Sequence, residues 1–193
     1  MIPKSFIDYY GDQTRWFLGE VVNVKDDPLK IGRARVRIFG VYDEIEEEDL
    51  PWAQVVVPIT HTVFVGNGQT LGLLVGAQVF GFFLDGQNSQ LPLIVGSIPR
   101  KSDVIPKSTE NYPHNKVYNT IGGHYKEYDD TPEKERIKEF HQSGTHWEIT
   151  NDTFTIKHNS GASIIMDEDG NVNITASGAG EVKINGKSVR LNS

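Results

Sequence analysis

Apolar and polar residues alternate in short runs along most of this chain, and the cleanest runs lie between residues 15 and 100. Alternation with a period of two is typical of a β-strand with one buried face. Segments rich in Gly, Pro, Asp and Asn separate the runs, as expected of turns. The pattern predicts five strands, at residues 16–24, 33–40, 52–57, 77–84 and 91–98.

Five short strands without a convincing helix, in roughly 85 residues, favour a small closed barrel of the OB type over a generic β-sandwich. Gly81 and Gly96 interrupt two of the strand patterns. Glycines inside barrel strands mark sharp bends or close approach of the backbone. We therefore expect an OB-fold barrel over residues 15–100.

The segment between the third and fourth predicted strands is long and apolar for a loop. Exposed apolar side chains of this number would be a liability on a monomer. A β-ribbon, filling of the barrel core and a docking surface all remain open, and core filling is expected for about half of the residues. The residues concerned are Val63, Phe64, Val65, Leu71, Leu73 and Leu74.

Residues 101–140 differ from the preceding segment in composition, with several prolines, many charges and few aliphatic side chains. A stretch of this length without regular structure is unusual inside a compact domain, so we expect an extended linker. Residues 129–137 fit either a short helical turn with Thr131 as its cap or the start of a strand. Residues 1–14 are expected to form an N-terminal arm.

Residues 141–193 are predicted to form short, narrow strands separated by turns at Gly, Asn, Asp and Ser. Each strand face is about two side chains wide. One copy of the chain therefore buries too little apolar surface to offset the conformational entropy lost on folding. The apolar side chains of this segment must therefore pack against the rest of the chain or against other copies of it. The apolar residues that would meet on a shared axis are Phe154, Ile156, Val172, Ile174, Val182, Ile184, Val189 and Leu191.

Three copies would satisfy this requirement if each contributed one wall of a prism. The aliphatic faces would then meet on the common axis, with strand hydrogen bonds running between chains and few exposed edges. The repeat of strands and reversals fits such a solenoid or prism, although no strict period stands out.

Composition narrows the function classes further. The net charge of −7, from 19 basic and 26 acidic residues, argues against general nucleic-acid binding. The chain has no cysteine, which excludes a disulfide framework and thiolate chemistry. No signal-peptide pattern and no membrane-spanning run is found, so synthesis and folding in the cytoplasm are expected.

The candidate catalytic and metal-binding motifs are weak. The six histidines include no pair at ligand spacing, although three copies of His146 or His158 could meet on a threefold axis. The acidic run at 43–49 lacks the spacing of a calcium loop. No nucleophile elbow or phosphate loop occurs. We therefore expect neither an enzyme nor a cofactor or metal site.

Arg33, Arg35 and Arg37 lie on one face of the second predicted strand. Contact with nucleic acid is one interpretation, because OB folds often bind it. Pairing with carboxylates, of a partner or of the loop at 43–49, is favoured because the chain is acidic and exposed aromatic platforms are missing.

Several segments, taken in order, resemble the central spikes of contractile phage tails and their relatives in type VI secretion spikes. The barrel segments are 27–37 (DPLKIGRARVR), 50–53 (LPWA) with 58–60 (PIT), 76–80 (GAQVF) and 92–96 (PLIVG). The most specific are 123–132 (GHYKEYDDTP), 135–137 (ERI) and 141–149 (HQSGTHWEI). Glu133 departs from the family pattern, because many relatives have Gly there.

The resemblance implies an all-β chain with an OB-fold barrel and a C-terminal intertwined, trimeric, triple-stranded β-helix at 141–193. The barrel would attach to the tail hub, with Arg33, Arg35, Arg37 and Phe64 as possible contacts. The homotrimeric needle would pierce the host envelope, touching it only transiently during contraction. The expected location is the tail baseplate of a virion.

Two further features of the family bear on this chain. Some spikes carry a lysozyme domain between barrel and needle, for which the connector here leaves no room. Long needles sometimes end in a metal-binding tip with a His-x-His pattern, which is missing here, so a separate tip protein is expected. The alternative functions are a tail module that binds carbohydrate, with Trp52 and Trp147 stacking on sugars, and one that degrades peptidoglycan.

Overall fold

The computed structural model describes residues 14–69 and 72–190, and the chain divides into two compact units, Met1–Asp103 and Val104–Ser193. Of the predicted arm at 1–14, only Thr14 lies within the described residues. The helical segments among the described residues are short 3₁₀ turns of three or four residues. None of the described helices has the length and apolar character needed to cross a membrane.

The first unit is a closed five-stranded barrel. Its strands are β1 (Trp16–Asn23), β2 (Ala34–Ile38), β3 (Trp52–Val55), β4 (Gln78–Phe83) and β5 (Pro92–Ser97). They follow the order β1-β2-β3-β5-β4, and β4 returns to pair with β1. The only parallel pair within these strands is β3 with β5. The predicted OB-type barrel is confirmed, and each strand lies within a few residues of its predicted position.

The barrel interior is filled by the inward-facing half of each strand. In β2 the burial alternates at every residue, so that Ala34, Val36 and Ile38 point inward while arginines point outward. Phe17, Tyr42 and Phe83 pack ring against ring with centroids 5.2 and 5.9 Å apart. This clean period of two explains why the sequence pattern located the strands.

The two predicted strand glycines have different local roles. A Cβ at Gly81 would lie 2.1 Å from the Leu93 carbonyl oxygen and 2.7 Å from Phe17, so the close backbone approach is confirmed there. Gly96 has open space around the same position. It lies beside a register shift in the β4–β5 pairing, where Val95 bulges, so this glycine marks an irregular bend.

The second unit is an antiparallel meander of seven strands in chain order. Its strands are β6 (Asn115–Asn119), β7 (Tyr125–Asp129), β8 (Arg136–Phe140), β9 (His146–Ile149), β10 (Thr153–Lys157), β11 (Ser163–Asp167) and β12 (Val172–Thr175).

The segment at 101–140, for which an extended linker is expected, contains three of these strands. A hydrophobic pattern does not reveal these strands, because they contain few aliphatic residues and pair charged side chains, such as Lys126 with Glu139, across the backbone ladder. Between β7 and β8 the chain makes a tight turn, in which Lys134 N–H donates to the Thr131 carbonyl over 2.9 Å. Of the two interpretations of residues 129–137, the structure therefore has the strand and not the helical turn.

The C-terminal part of the chain also departs from expectation. Strands predicted around Val182, Ile184 and Val189 are not formed, and the described chain after Thr175 contains no strand. The described hydrogen bonds between neighbouring strands from β6 to β12 join strands of the same chain. A strand with only two apolar side chains on one face gains little stability from packing within a single chain.

Candidate functional site

One face of the seven-stranded sheet is apolar over β9 to β12, and we call it the apolar face. Over β6 to β8 the same face is mixed, because Lys116, Lys126 and Glu139 also lie on it. The register places Phe154 opposite Ile149 and Met166, and Ile156 opposite Trp147 and Ile164. Directly paired residues share a face, so the apolar side chains of neighbouring strands form one continuous surface. Its members are Tyr118, Tyr128, Ile137, Trp147, Ile149, Phe154, Ile156, Ile164, Met166, Val172 and Ile174.

Much of the apolar face is open to solvent in a single chain. The side chains on its last strand, Val172 and Ile174, are 57% and 55% exposed. Five strands, β8 to β12, at the usual spacing of about 4.8 Å carry the continuous apolar part of this face across roughly 20 Å. Monomeric proteins rarely expose contiguous apolar patches of this size, which mark sites of association.

Four of the eight predicted axis residues meet on the apolar face. Phe154 and Ile156 lie on β10, and Val172 and Ile174 lie on β12. Of the others, Val182 lies in no strand but lines a hollow together with Ile156, Ile164 and Ile174 of this face. Val182, Ile184 and Val189 are exposed and lie outside the strands, and Leu191 lies outside the described residues.

The sequence pattern missed the intervening strands of the same face. Trp147 and Ile149 of β9 were not recognised as an apolar pair, although they have the same one-position spacing. On β11 the run of Ile164, Ile165 and Met166 obscures the alternation, because Ile165 lies on the opposite face. Pairing with the neighbouring strand β10 places Trp147, Ile149, Ile164 and Met166 on the same face as Phe154 and Ile156.

Three similar turns stack along one side of this sheet; the first two join strands and the third follows β12. Ser143-Gly144, Ser160-Gly161 and Ser177-Gly178 recur at a spacing of 17 residues, and the three glycines have φ values of +96°, +99° and +59°. Such φ values favour glycine. The turns touch, since Asn159 N–H donates to Thr145 Oγ1 over 3.2 Å. The spacing is visible in the sequence and indicates a structural repeat.

The histidines have local partners in these turns or point away from the apolar face. The Nδ1 atoms of His141 and His158 accept from the backbone N–H of Ser143 and Ser160, over 3.1 and 3.2 Å. His146 pairs with Phe140 on the opposite face. Among the described residues, no group of three or more His, Cys, Asp or Glu side chains is arranged to hold a metal ion.

The opposite face of β6 to β8 is polar and covered by the chain itself. Fully buried Glu127 accepts from Asn115 Nδ2 over 2.8 Å and from Arg136 over 3.0 Å. Asn115 Nδ2 also lies 3.0 Å from the carbonyl oxygen of Lys107, in the 3₁₀ turn Pro106–Thr109. These bonds fix the turn against the polar face.

Asp129 reinforces this cover. Burial alone would raise the pKa of the Asp129 carboxyl, but hydrogen bonds from Thr131 and Asn111 outweigh it and hold the pKa below its ordinary value. The bond from Asn111 Nδ2 is 2.6 Å long. On β6 to β8, the face that remains open to a partner is therefore the apolar face.

The arginine row on the barrel is engaged within its own chain. Arg33 binds the nearly buried Asp27 through Nε and Nη2, over 3.0 and 2.7 Å. The guanidinium of Arg33, aided by backbone N–H groups of Ile31 and Leu29, lowers the pKa of Asp27 to about 2. This pair closes the turn between β1 and β2.

Arg35 and Arg37 hold the acidic loop, although through its backbone. Arg35 Nη1 donates to the Glu47 carbonyl over 3.0 Å, and its guanidinium lies 4.8 Å from the ring centroid of Trp52. Arg37 Nη1 donates to the carbonyls of Tyr42 and Ile45. The loop at 43–49 is the intrachain partner that the sequence suggested, with carbonyl oxygens in place of carboxylates.

The loop between β3 and β4 projects an apolar tip. Phe64 and Asn67 exchange two backbone hydrogen bonds of 2.9 Å around Val65 and Gly66. Val65 has a φ of +47°, which is a genuine outlier for a β-branched residue, and Phe64 is 74% exposed.

Of the other apolar residues in this loop, Leu73 packs against the core while Val63 and Leu74 are exposed. Core filling is therefore less extensive than expected among the described residues, and Leu71 lies outside them.

Comparison with known proteins agrees with this architecture. The sequence model of the Gp5 N-terminal OB domain matches residues 37–185. The chain is 37% identical over 89 residues to the pre-baseplate central spike protein Gp5 of Enterobacteria phage T4, covering 41% of this chain and 15% of that protein. It is 30% identical over 116 residues to Protein Gp5 of Vibrio phage KVP40, covering 53% and 28%. The chain thus spans less than a third of the length of these two relatives.

Proposed function

Because the chain belongs to the Gp5 N-terminal OB domain family, we propose that it is a structural subunit of the central spike in a phage tail baseplate. The match extends from β2 of the barrel to beyond β12 of the sheet. The name of the T4 relative, a pre-baseplate central spike protein, supports the same role. The proposed role makes and breaks no covalent bond.

The observation that carries the proposal is the open apolar face. Three copies related by a threefold axis would bring three such faces together, with each sheet as one wall of a needle. Burial of a Val, Ile or Leu side chain contributes about 1.5–3 kcal/mol, and the face offers several in every copy. The trimeric, triple-stranded needle at 141–193 is the finer form of this proposal.

The edges of the sheet support association of the same kind. Strand β12 pairs with β11 on one side, and its other edge has no strand partner among the described residues. Open edges invite pairing with another chain. Neighbouring copies in a trimer would supply that partner near the C-terminal end, where Val182, Ile184 and Val189 are also exposed.

In this role the spike acts as a rigid rod. The needle would transmit the force of tail contraction and pierce the host envelope, with which it makes only transient contact. The physical requirement is slow unfolding under load. Shared apolar packing between three chains provides it, because opening one wall exposes the other two.

The proposal includes two partners besides the sister chains. The barrel would attach to the tail hub, and a separate protein would cap the needle tip. Among the four side chains proposed for the hub, Phe64 is the most available, since the three arginines are occupied within the chain. The strained turn at Val65 supports this choice, because backbone strain clusters at functional sites.

A cysteine experiment tests the trimer. The chain has no native cysteine, so any disulfide that forms must involve the single cysteine that is introduced. Ile164→Cys places a thiol on the apolar face and Ile165→Cys on the opposite face. Oxidation should link copies of Ile164→Cys into dimers on a denaturing gel and leave Ile165→Cys as single chains. Equal linking of both variants, or of neither, would contradict the proposal.

A further inference from the structure

The apolar face changes in character from one end of the sheet to the other. Strand pairing lines up one residue from each strand, β6 to β12, in a single row across this face. In strand order the row is Tyr118, Lys126, Glu139, Trp147, Ile156, Ile164 and Ile174. The β12 end of the row is therefore aliphatic, whereas its positions on β7 and β8 are charged.

The two charged residues form a pair within one chain. Lys126 Nζ lies 2.9 Å from Glu139 Oε1, and Trp147 Nε1 donates to Glu139 Oε2 over 3.1 Å. The hydrogen bonds from Lys126 and Trp147 hold the pKa of the Glu139 carboxyl below its ordinary value, so the pair is ionised at neutral pH. The pair as a whole is electrically neutral, and both of its side chains are less than half exposed in the single chain.

The pair gives the apolar face a direction that aliphatic packing alone does not provide. The hydrophobic effect is non-directional, so two purely aliphatic faces could pack with their strands in the same order or in the reverse order. A charged pair distinguishes the two arrangements, because covering it with aliphatic side chains removes its water without any replacement.

We propose that the Lys126–Glu139 pair sets the direction in which copies of this chain associate through the apolar face. The inference rests on the proposed function and names the residues that align the sister chains. Copies around a threefold axis all point the same way, so their pairs would meet in one layer. This layer is neutral, since every Lys126 has a Glu139 one strand away. Fixing alignment is the best-attested role of a polar layer in an apolar interface.

The off-centre position of the pair is what allows it to act in this way. β7 and β8 are the second and third strands from one end of the seven-stranded sheet. If two faces overlapped fully in the reverse order, β7 of one copy would lie over β11 of the other, and β8 over β10. Lys126 would then contact Ile164 and Glu139 would contact Ile156. Neither isoleucine side chain offers a hydrogen-bond partner, so the reverse order is disfavoured.

Cysteines at the two ends of the row report the direction. Tyr118→Cys labels the β6 end and Ile174→Cys labels the β12 end, in separate chains that are mixed while unfolded and then refolded together. A short bismaleimide should join like positions, and mass spectrometry of the linked peptides should find few links between positions 118 and 174. Unlike links as abundant as like links would overturn the inference.

Removal of the pair should relax this preference. In a chain carrying Lys126→Met and Glu139→Met, the share of unlike links should rise by about tenfold or more, because the reverse order no longer desolvates a charge. The matched control exchanges the two residues, with Lys126→Glu and Glu139→Lys. It keeps a neutral pair at the same positions and should retain the like links. Rare unlike links in the methionine variant, or common ones in the exchanged variant, would overturn the inference.

Light scattering on the same samples separates this inference from the proposed function. A mass of 21.6 kDa for the natural chain would contradict the proposed trimer and the inference together. A trimeric natural chain whose direction of association is unchanged by the two methionines would contradict the inference alone.

Discussion

Ile164 of β11 lies directly opposite Ile174 of β12, with both side chains on the apolar face. They are 37% and 55% exposed in the single chain, although side chains of this kind are usually buried. A pair of isoleucines displayed across two strands is understandable if another chain covers it.

Ile174→Asp should abolish the trimer. A carboxylate there would be buried without a partner on the threefold axis, and such burial is strongly unfavourable. Size-exclusion chromatography should show the variant at the elution volume of a single chain. The matched control is Asn173→Asp, one residue away on the opposite face, which should remain trimeric. A trimeric Ile174→Asp variant that also resists SDS would refute this prediction.

Gly81→Ala should destabilise the barrel strongly. Its Cβ would lie 2.1 Å from a backbone oxygen of β5, and overpacking typically costs about 1–3 kcal/mol or more when the backbone must move. Gly96→Ala is the control, because a Cβ at that position meets open space. Urea unfolding should separate the two variants, and similar midpoints would show that the close approach is not rigid.

Glu133→Gly should stabilise the second unit. Glu133 has a φ of +66° in the turn after Pro132, a conformation in which a side chain costs about 1–2 kcal/mol. Relief of this strain exceeds the entropy cost of a glycine, so a net gain of up to about 1 kcal/mol is expected. Lys134→Gly, which relieves no positive φ, should lower the melting temperature. A lower melting temperature for Glu133→Gly as well would contradict the argument.

The stability of the barrel should depend on pH through Asp27. Its pKa is lowered from 3.8 to about 2 by Arg33 and by backbone N–H groups. The folded state therefore binds fewer protons than the unfolded state, so this stabilisation is complete above about pH 4 and is lost as the pH falls towards 2. Unfolding midpoints at pH 5 and pH 3 should show the loss.

The variant Asp27→Asn lacks this carboxylate and should lose less stability between pH 5 and pH 3 than the natural chain. Asp26→Asn, at an exposed neighbouring position, should keep the dependence of the natural chain. Identical pH dependence of the natural chain and Asp27→Asn would assign the acid sensitivity to other groups.

The barrel could be predicted from the sequence because its strands alternate cleanly. In β2, Ala34, Val36 and Ile38 point inward between outward arginines, and β4 shows the same alternation along its whole length. The order of pairing, with the parallel contact of β3 and β5, was not predicted, because alternation along a strand does not say which strands are its neighbours.

The first strands of the sheet could not be predicted in this way. In β7, the sequence YKEYD has no aliphatic residue, and Oε1 of buried Glu127 accepts hydrogen bonds from Asn115 and Arg136 on neighbouring strands. Such pairing becomes visible only when the strands are together. By contrast, the 17-residue spacing of Ser143, Ser160 and Ser177 was available in the sequence.

The mass in solution tests the central claim most directly. Light scattering of the purified natural chain across a range of concentrations should give three times 21.6 kDa, because three apolar faces complete one another. A mass of 21.6 kDa at every concentration would mean that the apolar face needs no sister chains, and the proposed needle would be contradicted.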